Sequence, residues 1–347
     1  MNKIKEYFDL ALKAAQNPKN KGVTRQIFEL VALFCRSRLG PGYYFKAQMC
    51  SRNYRFLEVM GFLSLRQYER QVYRLNNRLY HKCSQNKSVE KAILSTYGIP
   101  TPELLGHFHG IRGLTTQGDG FRTKVQLQEL LYQQSVGDRL CFKLIDGWGG
   151  IGFRAIECLP GKRFLDLQSQ KESDFNDLYQ SLGSPEKEGL IIERYLEQHP
   201  VFASFNPSSV NTCRVLLRVK EGEVICLSTY LRVGRTGSLV DNSTSGGVIF
   251  PIDKMTGIMK PGFTKHDRGN FYDVHPDSGV RMNGEKLPCF DEGMILAKKA
   301  ILVFPGINFA GVDLAFSKDG PVILEINIQP DYNDFADTSL PSRNALM

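Results

Sequence analysis

The sequence predicts an α+β fold with helices and strands mixed: a helical N-terminal domain, residues 1–84, then two strand-rich units, 85–195 and 196–347. Three observations predict it. Apolar residues recur at helical spacing through IKEYFDLALKAA and TRQIFELVALFCRSRLG, strand patterns dominate from about residue 139, and residues 311–327, GVDLAFSKDGPVILEIN, read as a tight hairpin. No internal repeat or low-complexity linker interrupts them, and 347 residues suffice for two or three cores.

The N-terminal helices break at Gly40-Pro41-Gly42. Their amphipathic faces are basic and aromatic, but the expectation is that they pack into a core rather than touch a membrane or partner. NKSVEKAILSTYGIPTPEL is a short helix stopped by Gly98 and followed by Pro100. RLCFKLID, FRAIECL, LIIERYL, TCRVLLRV, EVICLSTYLRV and GGVIFPID read as strands, with EGMILAKKAILVFP as the one clear helix among them.

The totals narrow the function. A formal charge of +8 favours anionic partners: nucleotides, phosphorylated sugars, nucleic acid or an acidic membrane surface. The basic residues form no single run and no RNA-binding motif appears, which sets the nucleic-acid reading behind the others. Eight cysteines without C-x-x-C spacing suit buried thiols in a reducing compartment. The N-terminus lacks the apolar centre of a signal peptide, and no uncharged apolar run approaches the roughly 18 residues of a membrane span. The expectation is a cytoplasmic protein without a transmembrane segment.

The hairpin at 311–327 carries the sharpest chemistry. With a three-residue loop of Lys318, Asp319 and Gly320, Asp313 lies opposite Glu325. Period-two alternation then puts Val312, Leu314, Phe316, Val322, Leu324 and Ile326 on the core face. The other face holds Asp313, Glu325 and Asn327, with Ala315 and Ile323. Opposed carboxylates repel unless a cation lies between them, and two carboxylates plus an amide oxygen suit magnesium.

KLIDGWGGIGF, 143–153, spaces Gly147, Gly149 and Gly152 as G-x-G-x-x-G. A dinucleotide-binding turn would lead into a helix, whereas FRAIECL is a strand pattern, and no G-K-[ST], H-R-D or D-F-G accompanies it. A glycine loop between strands, with Lys143 on the first, suits a flap whose N–H groups and ammonium cover nucleotide phosphates. Trp148 sits at its tip. Glu193 ends the strand LIIERYL, where a carboxylate and free main-chain groups suit an adenine amine. Arg214 and Arg232 lie in strands pairing across Glu221-Gly222 and suit phosphate or carboxylate. Asp241, Asn242, Gly246 and Gly247 form a loop that approaches a ligand or simply turns.

In this order the elements resemble the ATP-grasp superfamily over roughly residues 85–335. The most specific match is G-V-D followed by L-E-I-N, which puts Asp313, Glu325 and Asn327 on the family's magnesium ligands. Lys87 and Lys143 fall on its two nucleotide lysines, Gly147 to Gly152 (with Trp148, Gly149 and Gly150) on its phosphate flap, and Glu193 with the Arg194 and Leu196 main chain on its adenine strap. RVGRTGSLVDNSTSGG, a P-I-D-x-x-T-G turn and HPDSG resemble the sugar-transfer-associated, glutamate-ligase-related branch. Leu144 stands where many members have proline. The helical residues 1–84 stand where many carry a Rossmann-like domain. Glu197, Gln198 and His199 all remain open as the ribose contact.

The resemblance implies an ATP-dependent carboxylate–amine ligase using ATP and magnesium, or manganese, and forming an acyl phosphate from a small, amino-acid or sugar-derived acid. Lys143 with Arg214 or Arg232 would be the catalytic cations, and the loop with Asp241, Asn242, Gly246 and Gly247 would bind substrate. A kinase phosphorylating a hydroxyl on the same scaffold is the alternative. An oligomer is compatible with either.

Overall fold

The computed structural model describes residues 2–147, 149–267 and 270–347. Helices fill the first quarter: α1 (Asn2–Ala15), α2 (Val23–Ser37), α3 (Pro41–Lys46), α4 (Phe56–Val59), α5 (Leu65–Leu75) and α6 (Lys82–Gln85), followed by α7 (Lys87–Thr96). Gly40-Pro41-Gly42 does more than break α2, because Pro41 opens α3, where a missing N–H costs nothing. The expectation that the apolar face of α2 packs inward holds only in part: Leu33 is fully buried in the N-terminal core with Leu30 and Ala32 packed against it, whereas Ile27, Phe28, Val31 and Phe34 are exposed. The helix's buried residues are Gln26, Glu29, Leu33 and Ser37, because Glu29 is held inside by Lys21 at 2.9 Å and by the Tyr44 hydroxyl at 2.8 Å.

Two antiparallel sheets follow. The first has seven strands, β1 (Leu104–Phe108), β2 (Leu114–Thr115), β3 (Arg139–Leu144), β4 (Arg154–Leu159), β5 (Arg163–Asp166), β6 (Lys171–Ser173) and β7 (Leu190–Arg194), in the order β2-β1-β7-β3-β4-β5-β6. Phe108, Leu140, Phe142, Ile156, Phe164 and Ile192 on one face pack with Leu127, Leu131, Phe175 and Leu178 from the helices Lys124–Tyr132 and Phe175–Ser181. The second sheet has six, β8 (Thr212–Lys220), β9 (Glu223–Val233), β10 (Val248–Ile252), β11 (Phe263–Thr264), β12 (Phe309–Ser317) and β13 (Gly320–Asn327), in the order β11-β10-β9-β8-β12-β13. Cys213, Val215, Leu231, Val233, Phe250, Val312 and Leu314 face a core completed by Met294, Ala297, Ala300 and Ile301 of the helix Phe290–Leu302 and by Leu94 of α7. The alternate residues of β8, β9 and β12, among them Arg214, Tyr230, Arg232 and Asp313, face the other way. The short strands β1, β2, β5, β6 and β11 and the helices Lys124–Tyr132, Phe175–Ser181, Pro185–Glu188 and Pro200–Phe205 went unread in the sequence, since so few turns or rungs give little periodic signal.

The β12–β13 hairpin keeps Asp313 opposite Glu325, as its alternation requires. Its loop is shorter than expected: Ser317 pairs with Gly320, leaving Lys318 and Asp319 to turn, with Gly320 at φ +126°. The register also shifts between Asp313 and Leu314, which pairs with Ile323. That bulge reverses three assignments, since Val322 now pairs with Ala315 outside the core cluster. Ile323 is fully buried in the core, and Leu324 turns toward the cavity between the sheets.

The helical N-terminal segment is bolted to the second sheet. Asn76, after α5, donates to Phe309 O at 2.7 Å and Ile328 O at 2.6 Å, and accepts from the N–H groups of Asn308 and Phe309 at 2.9 Å each. A buried amide with every group satisfied fixes one docking geometry. The Tyr68 hydroxyl of α5 donates to Pro330 O at 2.6 Å, and Tyr43 stacks on Tyr332 at 4.3 Å. These contacts brace the segment that follows β13.

Candidate active site

A cavity of about 500 Å³ opens between the two sheets. On the first sheet β3 and β4 pair antiparallel, so the glycine stretch is the loop of a hairpin and leads into no helix. Gly147, Gly149 and Gly150 line the cavity; Gly152 does not. Gly149, Gly150 and Gly152 have φ of +63°, +79° and +70°, a conformation strained for any side-chain-bearing residue. Trp148 lies outside the described residues. Lys87, at the start of α7, donates to Gly147 O at 2.5 Å and meets Glu325 at 3.3 Å, joining the loop to β13.

Glu193 is fully buried, and its oxygens meet Lys91 at 2.7 Å and Lys143 at 2.6 Å. Burial alone raises a carboxyl's pKa, but the two ammonium groups hold Glu193 at about 2. Burial likewise works against the charge on Lys143, and the Glu193 carboxylate outweighs it, so this lysine's pKa is raised. Glu193 is therefore the counter-ion of Lys143 and Lys91, with both carboxylate oxygens paired. The strap that continues from it, Arg194, Tyr195 and Leu196, lines the cavity. Arg194 itself reaches Glu103 at 3.0 Å and Asp138 at 3.1 Å.

On the second sheet, Arg214 on β8 meets Asp313 Oδ1 at 2.7 Å, and Arg232 on β9 meets Asp313 Oδ2 at 3.1 Å. Gly311, two residues earlier on β12, clears the way: a Cβ there would come within 2.8 Å of Arg214 Nη1. Arg232 also donates to Thr212 Oγ1 at 2.6 Å and faces Asp241 at 3.4 Å, while Asp241 accepts from Thr212 N at 2.9 Å and from its hydroxyl. Asp241 and Asn242 line the cavity, whereas Gly246 and Gly247 form the turn back into β10. Gly247 has no room for a Cβ, which would sit 2.4 Å from Asp241 O.

Asp313 and Glu325 face each other in register, and Asn327 donates to Asp313 Oδ2 at 3.3 Å. The set is all-oxygen once the amide turns its carbonyl inward, which fits a magnesium ion in donor chemistry. Among the described residues no group of three or more His, Cys, Asp or Glu is gathered for a metal. Asp313 is neutralised by guanidinium groups, so a cation would share it with Arg214 and Arg232.

Sequence reasoning missed several residues of the site: Tyr230, Lys265, Asp331 and Asp334, which line the cavity, and Lys91, which does not line it but is buried against Glu193. Lys91 lies four residues after Lys87, on the same helix, a spacing that could have found it. Asp331 and Asp334 follow Asn327 within seven residues in IQPDYND, also a legible signal. Lys265, 3.2 Å from Asp331, carried none. Tyr230 donates to Asp334 Oδ1 at 2.9 Å, and Arg214 Nη1 lies 3.9 Å from its Oδ2. Burial raises the Asp334 carboxyl to about 6 despite Arg214. The thiols are free as expected, with Cys35 and Cys289 exposed. Among the described residues no helix is long and apolar enough to cross a membrane.

Two antiparallel sheets that close on one cavity, a glycine hairpin on one and an acid–acid–amide hairpin on the other, define an ATP-grasp fold. The family model described as sugar-transfer associated ATP-grasp matches residues 66–340, and the chain belongs to that family. No curated protein matches the sequence. Solved structures similar to it include N5-carboxyaminoimidazole synthase from Aspergillus clavatus in complex with ADP and 5-aminoimidazole ribonucleotide, at 15% identity and TM-score 0.42, covering 81% of this chain and 59% of that one. L-amino acid ligase from Bacillus licheniformis gives 12% identity and TM-score 0.42, covering 76% and 48%. D-alanine–D-alanine ligase from Bacillus anthracis complexed with ATP gives 14% and 0.41, covering 77% and 65%. In each case the chain spans less than two thirds of its neighbour's length.

Proposed function

We propose that the protein is an ATP-dependent carboxylate–amine ligase that makes an amide through an acyl phosphate and releases ADP and phosphate. The observation that carries the reading is the single cavity that joins Lys87, Lys143, the glycine loop and the Glu193–Leu196 strap to Arg214, Arg232 and the Asp313, Glu325 and Asn327 hairpin.

In this reading the strap's main chain receives the adenine, and Lys87, Lys143 and the loop N–H groups hold the phosphates. Asp313, Glu325 and Asn327 would hold magnesium, which when bound would offset the charge of the β- and γ-phosphates. Arg214 and Arg232 hold the substrate carboxylate and then its acyl phosphate, with Asp241 and Asn242 at the same wall. Closure of the loop excludes water, which would hydrolyse that intermediate. The acid is a small, amino-acid or sugar-derived molecule, and the setting is the cytoplasm.

Phosphoryl transfer to a hydroxyl is a second reading, favoured by Asp334. Its raised carboxyl lines the same cavity and would accept a hydroxyl proton. One experiment separates the two: ADP release with MgATP, hydroxylamine and pooled carboxylic acids, with assay for hydroxamate. Hydroxamate that depends on one acid is the expected result. ADP release with a phosphorylated product and no hydroxamate replaces the ligase with the kinase.

A further inference from the structure

Helix α2 packs Leu33, with Leu30 and Ala32 beside it, into the N-terminal core, yet leaves a second apolar face outside. Its buried positions are Gln26, Glu29, Leu33 and Ser37, while Ile27, Phe28, Val31 and Phe34 are exposed, the last three by 54%, 58% and 52%. The exposed residues fall at i, i+1, i+4 and i+7, one continuous helix face. The polar side is anchored by its own partners, since Glu29 takes Lys21, the Tyr44 hydroxyl and Arg25 Nε at 3.0 Å, and Gln26 donates to Lys21 O at 2.6 Å. The outward apolar face is therefore a consequence of a fixed orientation. Leu57 of α4, 79% exposed, adjoins it through Phe56, whose ring centroid lies 5.4 Å from that of Phe28. Helix α1 packs on α2 and leaves Phe8 and Leu12, four residues apart, exposed. Covering exposed apolar surface of this kind is favourable.

Charge indicates the cover. Residues 1–84 contain 16 Lys and Arg against five Asp and Glu, a formal +11, while residues 85–347 contain 28 against 31. One of the five acids, Glu29, is buried in its ion pair. Arginines also stand over the exposed rings. Arg25 lies 5.7 Å from the Phe28 centroid and 5.2 Å from that of Phe56, and Arg38 lies 4.9 Å from that of Phe34. Apolar rings rimmed by guanidinium groups match the boundary of an anionic bilayer, where the rings enter the acyl region and the cations meet lipid phosphates. A second copy of the chain would bring one basic face against another, which opposes self-association through this surface.

We propose that the exposed face of α1, α2 and α4 docks the protein on a membrane surface containing anionic phospholipid. The proposal is independent of the ligase reading. Its test is sedimentation of the full chain with phosphatidylcholine vesicles, with and without phosphatidylglycerol. The protein is expected to sediment only with the anionic vesicles and to be released in about 1 M salt, where the screening length falls to about 3 Å. Phe28→Ser with Phe34→Ser is expected to weaken partitioning at least about tenfold. Arg36, exposed in the last turn of α2, stands beside Arg38, and Arg36→Gln with Arg38→Gln is expected to weaken partitioning by about tenfold or more. Both variants should keep the parent's thermal melt. No sedimentation of the parent with anionic vesicles, or equal sedimentation with neutral ones, overturns the proposal whatever the variants do. A doubling of mass in light scattering without vesicles, abolished by the paired serine variant, also overturns it and assigns the face to a second copy.

Discussion

The two walls of the cavity handle buried charge in opposite ways. On the seven-stranded sheet a single carboxylate, Glu193, is shared by Lys143 and by Lys91 reaching across from α7, so the wall carries surplus positive charge. On the six-stranded sheet Arg214 and Arg232 are matched by Asp313, Asp241 and Asp334. A wall with surplus positive charge suits a polyphosphate that brings its own negative charge. A wall of arginines already paired with acids suits groups that exchange partners as a reaction proceeds. The difference also makes the first wall fragile, because its charge balance hangs on one residue.

That fragility gives the largest expected effect. Glu193→Gln leaves the buried Lys91 ammonium and the partly buried Lys143 ammonium unpaired and should cost about 3–5 kcal/mol in urea unfolding. Asp241→Asn should cost only about 1–2 kcal/mol, since Arg232 retains Asp313 and Thr212. Equal losses from the two substitutions would dissolve the contrast between the walls. Next comes Glu325→Gln, which removes a charge and almost no volume. It should lower MgATP-dependent ADP release by at least about 10²-fold while the thermal melt stays close to the parent's. Near-normal ADP release would refute the metal role of β13.

The pH dependence of the two walls should have opposite signs. The Glu193 carboxyl is depressed from the ordinary 4.5 to about 2, so its stabilisation is complete above 4.5 and disappears as pH falls toward 2. The Asp334 carboxyl is raised from 3.8 to about 6, so stability it supplies at low pH is lost as pH rises from about 4 to 6. Urea titrations at several pH values should show Glu193→Gln flattening the acid limb, by about 3 kcal/mol. Asp334→Asn should flatten the slope between pH 4 and 6 instead. The smallest effect is expected in the flap. Gly152→Ala, at φ +70° and with Leu144 2.9 Å from the added Cβ, should cost about 1–2 kcal/mol and raise the KM for ATP more than it lowers kcat.

How much of this was legible in the sequence depended on the range of the cause. The hairpin with Asp313 opposite Glu325, the strands bearing Arg214 and Arg232, and the loop between β3 and β4 follow from period-two alternation and local turn chemistry, which residues a few positions apart determine. The bulge beside Leu314 escaped, because nothing local distinguishes Ile323 from Leu324 as the core residue. Lys91 was readable from its spacing to Lys87, but its partner Glu193 lies about a hundred residues away.

The sequence by itself determined the mixed fold, its helical beginning and the residue types that face one another across each hairpin, since those rest on periodicity and short-range sterics. Only the tertiary structure decided which charges neutralise which, and that the Glu193 carboxylate pairs with Lys91 and Lys143. It alone decided that α2 turns its aromatic side to solvent. Each of these outcomes is a competition between burial cost and a partner supplied from elsewhere in the chain, and no local pattern records who that partner is.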